Sequence, residues 1–151
     1  MLTKIKSCYL AHPIKLRHDI RVLELKFEAA VDIELVNPFY DAVERTDIVR
    51  VDNGDVQPWS KTLDYEKIVE GDIKSIEDCD GLVAWVEKTI TSVGTHMEIW
   101  HAFSLKKKIY VISPDWNTHP WLKYVTEKSG GKMFTTFEDF EKYMKEEYGS
   151  K

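Results

Sequence analysis

Residues 81–112 read GLVAWVEKTITSVGTHMEIWHAFSLKKKIYVI. The stretch opens on an almost continuous apolar run, residues 81–86, of the kind a strand buried on both faces requires. Ser92 and Thr95 are capping residue types, and they introduce a helix over residues 95–106. Lys106, Lys107 and Lys108 crowd the end of that helix, where cations suit its dipole. Residues 109–112 form a second buried strand. Strand, helix and strand in this order make one unit of a parallel sheet.

The flanking sequence repeats the pattern. Residues 5–11 (IKSCYLA) read as a first strand. Leu16, Ile20, Leu23, Phe27 and Ala30 then mark one face of a helix. Residues 32–36 form a short strand that Asn37-Pro38 ends, because proline cannot donate to a ladder. An irregular stretch over residues 39–63 holds Asp52-Asn53-Gly54-Asp55 and Pro58-Trp59. Loops of this length are usually functional or disordered, and the aromatic content favours a folded lid. A helix over residues 63–77 carries Ile68, Ile73 and Ile76. Beyond residue 112 come a helix near residues 121–127, a Gly130-Gly131 turn and a strand over residues 132–135. Phe137, Phe140, Met144 and Tyr148 mark a last amphipathic helix.

The alternation implies one α/β domain over residues 1–151. Its core is a doubly wound, five-stranded parallel sheet with helices on both faces, in the flavodoxin-like order 2-1-3-4-5. In such sheets ligands bind outside the carboxyl ends of strands 1 and 3, where the winding reverses.

Composition narrows the function classes. The chain has 151 residues, 43% hydrophobic and 31% charged, with a net charge of −5. No basic face is visible, which argues against nucleic-acid and membrane-surface binding. Cys8 and Cys79 lie in or beside apolar runs and read as buried free thiols. No apolar run approaches membrane-spanning length, so a reducing cytoplasm is the expected location. His96 and His101 are five residues apart and diverge on a helix, and the H-E-x-x-H pattern is absent, so no metal is expected. Neither a phosphate-binding G-x-x-x-x-G-K-[ST] loop nor a G-x-G-x-x-G turn occurs, and no cofactor is expected.

The switch point selects residues 9–17, 37–41 and 91–98 for inspection. Glu98 falls in the first turn of the helix as read here, among Met97, Ile99, Ala102 and Phe103. The dipole there favours the ionised form and the apolar surround disfavours it. A carboxylate held charged in a drying site is a usable nucleophile. On spacing alone, the better reading of Glu98 is an ordinary helix-terminal acid that complements the dipole. Asp72, on the helix before strand 3, would approach Glu98 if that helix end folds over the switch point, and paired carboxylates push their pKa values apart. Asp78 reads as a solvated acid, and Asp80 as a residue that orients the start of the strand.

The frame D-x7-D, an apolar strand and then S-x-G-x-x-x-E on a helix is met at Asp72, Asp80, Ser92, Gly94 and Glu98. With Tyr9-Leu10-Ala11 ending the first strand, residues 70–112 resemble the nucleoside 2-deoxyribosyltransferase superfamily. The resemblance implies that Glu98 attacks C1′ of a 2-deoxyribosyl group. It implies that Asp72 positions the chemistry and helps protonate the leaving base, and that Tyr9 orients the nucleophile. An oxocarbenium-like transition state needs negative charge beside C1′, which agrees. Family members that transfer bases between free nucleosides carry an acid at the position of Ser92. A serine there resembles the branch that hydrolyses 2′-deoxynucleoside 5′-monophosphates.

A hydroxyl with the Gly94 and Thr95 amides at a helix N-terminus would cradle a phosphate, and Arg17 would supply countercharge. Ser92 serves equally as a simple N-cap, and Arg17 as a solvated helix residue. Where that branch has a glycine-rich turn after strand 1, this chain has His12-Pro13-Ile14-Lys15-Leu16-Arg17, and His12 or Lys15 would replace it. Asn37, Phe39 and Tyr40 suggest a base pocket, with Phe39 or Tyr40 stacking on the base or one ring tucked into the core. The expected reaction is cleavage of the N-glycosidic bond of a 2′-deoxynucleoside 5′-monophosphate through a covalent Glu98 glycosyl-enzyme, with water as acceptor. The alternatives are base exchange between free deoxynucleosides and a nucleotide-binding module without turnover. The resemblance also implies a homodimer or higher homo-oligomer in which a neighbouring chain completes each site, with residues 113–117 the place to look for that contribution.

Overall fold

The computed structural model describes residues 4–41, 64–90 and 92–151. The lid expected over residues 39–63 lies outside the described residues from residue 42 on, as does Thr91. The described chain runs β1 (Ser7–Ala11), a 3-10 turn (Ile14–Leu16), α1 (Arg17–Ala30), β2 (Glu34–Val36), α2 (Tyr65–Asp78), β3 (Gly81–Trp85), α3 (Val93–Ser104), β4 (Lys108–Ile112), α4 (Pro120–Ser129), β5 (Lys132–Phe134) and α5 (Phe137–Tyr148). The strands form one sheet in the order β2-β1-β3-β4-β5. All its pairings are parallel. The expected fold class and strand order are therefore those observed.

Alternation along each strand divides the core in two, because successive side chains leave opposite faces of a sheet. Cys8, Leu10, Val83, Tyr110 and Ile112 pack with Ile20 and Phe27 of α1 and with Phe137, Phe140 and Met144 of α5. Tyr9, Ala11, Leu82, Ala84, Ile109 and Val111 pack with Ile76 of α2, Ile99 and Ala102 of α3, and Leu122 and Val125 of α4. Tyr9 thus faces the layer that carries Asp72 and Glu98.

Short-range chemistry sets the element ends. Asp64 caps α2 by accepting from the Lys67 amide at 3.0 Å. Thr136 does the same for α5, accepting from the Asp139 amide at 3.1 Å. Helix α4 starts on Pro120 and ends on Gly130, whose φ of +80° is a left-handed conformation that glycine adopts without strain. Gly131 is also required, since a Cβ there would fall 1.8 Å from the Ile109 carbonyl oxygen. Asp80 Oδ2 accepts from the amides of Lys6 and Ser7 at 2.8 and 3.2 Å and so pins the start of β1 beside β3. Asp78 is exposed and pairs only loosely with Lys74, at 3.6 Å.

Two local expectations change. Helix α3 begins at Val93, directly after its Ser92 cap, rather than near Thr95. Glu98 therefore lies in the second turn, where the dipole contributes less. Of the three lysines after α3, Lys107 turns to α2 instead, donating to the carbonyls of Glu77 and Cys79 at that helix's end.

Candidate active site

A cavity of about 460 Å³ opens at the carboxyl ends of β1, β2 and β3, a size suited to a small ligand. Its wall draws on each segment that the switch point selects: His12 and Ile14 after β1, Pro38 and Phe39 after β2, and Ser92, Gly94, Thr95, Met97, Glu98 and His101 around α3. Helix α2 closes one side with Ile68, Val69, Asp72, Ile73 and Ile76. Asp72 and Glu98, 26 positions apart in the chain and each half-buried, share this wall.

Tyr9 lies behind Glu98. Its side chain is fully buried, and its phenol donates to Glu98 Oε2. The bond ties the carboxylate to the most buried layer of the sheet and restricts the rotamers Glu98 can sample.

Ser92 is both cap and cavity wall. Its Oγ accepts from the Thr95 amide at 3.3 Å and lies 2.7 Å from Thr95 Oγ1. The Thr95 amide is thus engaged within the cap. Gly94 is exposed on the cavity wall, and a Cβ there would meet nothing within 4 Å. The missing side chain leaves the backbone open to a ligand.

The turn after β2 sorts its two rings. Asn37 is fully buried, and its Nδ2 donates to Glu24 Oε2 at 3.1 Å. Its Oδ1 accepts from the Phe39 amide at 3.0 Å. Its own amide donates to Asp41 Oδ2 at 2.7 Å. This network directs Phe39 to the cavity. Tyr40 instead packs on α1, with its hydroxyl 2.6 Å from His18 Nδ1 and the Arg21 guanidinium 4.7 Å from its ring centre. Glu24 is fully buried, and burial raises its pKa, opposed by the hydrogen bonds from Asn37 and Arg21. Asn37 and Tyr40 do not line the cavity.

Arg17 does not line it either. It is buried rather than solvated, and its guanidinium donates to the Ile14 carbonyl at 2.9 Å. His12 is 3% exposed. Its Nδ1 lies 2.9 Å from the Leu10 carbonyl, and burial lowers its pKa to about 4. At neutral pH its ring is uncharged.

His101 also lines the wall, a place that its spacing from His96 does not foretell. It follows Glu98 by three positions, a spacing that places two side chains on one helix face. Its Nε2 lies 4.0 Å from Glu77 Oε1. Ile68 precedes Asp72 by four and shares its face by the same rule. Among the described residues, no group of three or more His, Cys, Asp or Glu side chains is placed to hold a metal ion. No helix among them is long and apolar enough to cross a membrane.

Comparison with known proteins agrees with this architecture. No curated protein matches the sequence. Among the solved structures that share the fold are three, each at 16% identity. A conserved protein from Enterococcus faecalis aligns with a TM-score of 0.68 over 95% of this chain and 99% of its own. A 2-deoxyribosyltransferase from Bacillus psychrosaccharolyticus aligns at 0.61 over 96% and 97%. The CMP N-glycosidase BcmB of Clostridium botulinum aligns at 0.53 over 92% and 98%. A family model described as nucleoside 2-deoxyribosyltransferase matches residues 8–146. The chain belongs to the nucleoside 2-deoxyribosyltransferase family, whose enzymes cleave or exchange N-glycosidic bonds.

Proposed function

We propose that the protein hydrolyses the N-glycosidic bond of 2′-deoxynucleoside 5′-monophosphates. The observation that carries the reading is the Tyr9–Glu98 hydrogen bond, set in a cavity whose wall also holds Asp72. Glu98 attacks C1′ as the bond to the base breaks, giving a glycosyl ester, and Asp72 delivers a proton to the departing base. Water then attacks C1′ of the ester, passing its proton to Asp72 and restoring the Glu98 carboxylate. Two displacements give overall retention at C1′. A 2′-deoxy sugar lacks the electron-withdrawing hydroxyl that would oppose positive charge at C1′.

Ser92 supports a phosphorylated substrate. A carboxylate at this position would repel a 5′-phosphate, whereas a hydroxyl beside the Gly94 backbone on the first turn of a helix can receive one. Phe39 supplies an apolar ring for the base. The setting would be the cytoplasm, where the free thiols Cys8 and Cys79 stay reduced.

The protein would work as a homo-oligomer. Met97, Trp100, Trp121 and Tyr124 are about half to two-thirds exposed. Trp100 touches Trp121 and Phe103, and Phe103 touches Tyr124, with ring centres 5.9, 5.4 and 5.8 Å apart. A connected apolar face of this kind is a candidate association surface. Met97 also lines the cavity, so a second copy on this face would stand at its rim.

Chromatography of free base released from deoxynucleoside monophosphates and free deoxynucleosides, with Glu98→Ala alongside, tests the reaction. Release from the monophosphates alone, lost in the variant, is expected. Base exchange on free deoxynucleosides without need of a 5′-phosphate would overturn the hydrolase reading in favour of transfer. Normal ligand binding by both proteins with no product would identify a binding module.

A further inference from the structure

We infer that His12 selects the nucleobase: its Nε2 accepts a hydrogen bond from an exocyclic amino group, so that cytosine and adenine are taken over their oxo counterparts. The inference rests on the reading of the cavity as a nucleotide site and adds the class of base.

The ring's orientation follows from its contacts. Nδ1 lies 2.9 Å from the Leu10 carbonyl oxygen, which can only accept, so Nδ1 carries the ring proton. In the neutral ring, Nε2 is then a bare lone pair. It is buried and has no hydrogen-bond partner among the described residues. Folded proteins seldom leave a buried acceptor unmatched, and a ligand's donor is one way to match it. His12 lies on the wall of the reactive cavity, and such a donor would reach the enclosed nitrogen only as a ligand displaces what covers it.

Its neighbour indicates which part of the ligand that is. The His12 ring meets Phe39 edge-on, with centres 4.9 Å apart and planes at 82°. Both side chains line the cavity. A base resting on Phe39 brings its rim alongside Nε2. The hydroxyls of Ser92 and Thr95 stand on the cap and first turn of α3, so the acceptor and these donors come from different elements. An amino group at the rim donates to Nε2. A carbonyl oxygen in its place sets two lone pairs against each other with water excluded, and the same repulsion makes this nitrogen a poor phosphate ligand. Burial keeps the ring uncharged at neutral pH, which preserves the acceptor.

The test compares kcat/KM for dCMP with dUMP, and for dAMP with dIMP, in the wild type and in His12→Phe, which keeps a ring against Phe39. A wild-type preference of about ten- to hundredfold for the amino-bearing member of each pair is expected. It should shrink to roughly threefold or less in the variant, the residue being ordinary packing differences. Equal turnover of the pairs by the wild type, or a preference that survives in His12→Phe, would overturn the inference while leaving the hydrolase reading intact. A second arm depends on neither turnover nor the variant's folding. In the 15N spectrum of the wild type, the Nε2 resonance should leave its bare-lone-pair position on saturation with dCMP and hold it with dUMP. An unmoved resonance with dCMP overturns the inference. Equal movement with both, whether from a sugar hydroxyl or from the uracil N3–H, also overturns it. Discrimination without turnover would uphold His12 and remove the hydrolase reading.

Discussion

Tyr9, fully buried in β1, donates its phenolic hydrogen to Glu98 on α3, a residue 89 positions later in the chain. The contact joins the innermost layer of the sheet to the carboxylate that would attack C1′. It holds the carboxylate's direction and stabilises its charged form. Removing the donor should therefore act on the chemical step more than on substrate capture. Tyr9→Phe keeps the ring that fills the core and deletes only the hydroxyl. We expect kcat to fall about ten- to hundredfold, the scale set by misplacing a reacting group, with KM changed little. Stability should fall by about 1.5–3 kcal/mol, the usual range for a hydrogen bond to a charged group. Steady-state kinetics and urea unfolding measure the two effects. An unchanged kcat would remove Tyr9 from the chemistry.

Asp72 bears on the other end of the scissile bond. If it protonates the departing base, Asp72→Asn loses a proton donor while keeping the side-chain shape. The expected loss is about 10²–10⁴ in kcat, typical of general acid catalysis. The loss should be smallest for bases that leave readily without protonation. Rates across bases of graded leaving ability would reveal this, and a loss equal for all of them would assign Asp72 to positioning alone.

The strand order was legible because each element has its own period. The apolar run at residues 81–86 and the alternation of helices with strands leave few topologies, and the switch point then selects the three segments that line the cavity. Side-chain direction within those segments was less legible. Phe39 and Tyr40 are adjacent and similar, and it takes the buried bond that Asn37 donates to Glu24 and the bond that its Oδ1 accepts from the Phe39 amide to send one inward, while the other stays on α1. Arg17 follows the same strand end as His12, yet a 3-10 turn at Ile14–Leu16 intervenes and the arginine turns back to the Ile14 carbonyl. His101 stands at helical spacing from Glu98, a signal that the His96–His101 spacing, which bears on metal ligation alone, does not carry. The unmatched nitrogen of His12 has no counterpart in the sequence, since it depends on which carbonyl the ring meets.

Gly94 separates the needs of the helix from those of the ligand. A Cβ at this position meets nothing within 4 Å in the protein. Gly94→Ala should therefore leave the fold intact and stabilise α3 by about 0.5–1 kcal/mol, because alanine loses less backbone freedom in a helix. The added methyl group would project beside Ser92 at the place assigned to the 5′-phosphate. We expect KM for a deoxynucleoside monophosphate to rise about tenfold or more, with a smaller change for the free deoxynucleoside. Thermal unfolding and substrate titration test this, and equal effects on the two substrates would argue against a phosphate at this turn.

Trp121 is 65% exposed and edges onto Trp100 across the α3–α4 face. A charge placed there costs an isolated chain little, since the position already faces water. It would cost an oligomer more, because the carboxylate would have to be desolvated at the interface. Trp121→Glu should reduce the assembly state without lowering the unfolding midpoint of the separated chain. Activity should fall with it if a second copy contributes to the cavity rim near Met97. Light scattering coupled to size exclusion gives the mass, and a wild type that is monomeric at working concentrations would remove this face as a self-association surface.

The buried ring of His12 also links folding to pH. Its pKa lies near 4 in the folded protein because burial penalises the charged form, against an ordinary value of 6.5. Between these values the unfolded chain binds a proton that the folded chain refuses. Stability therefore falls as pH drops from about 6.5 towards 4, and above 6.5 the residue contributes no pH dependence. A shift of this size corresponds to about 3 kcal/mol over the full window. His96, also lowered by burial and by nearby His119, adds a slope of the same sign. The difference between the wild type and His12→Phe isolates the His12 share. Urea unfolding of both at intervals between pH 7 and 4.5 should give a steeper acid-side decline for the wild type. Parallel curves would mean that His12 is protonated in the folded state as readily as in the unfolded one, and the bare acceptor at the cavity wall would be lost with it.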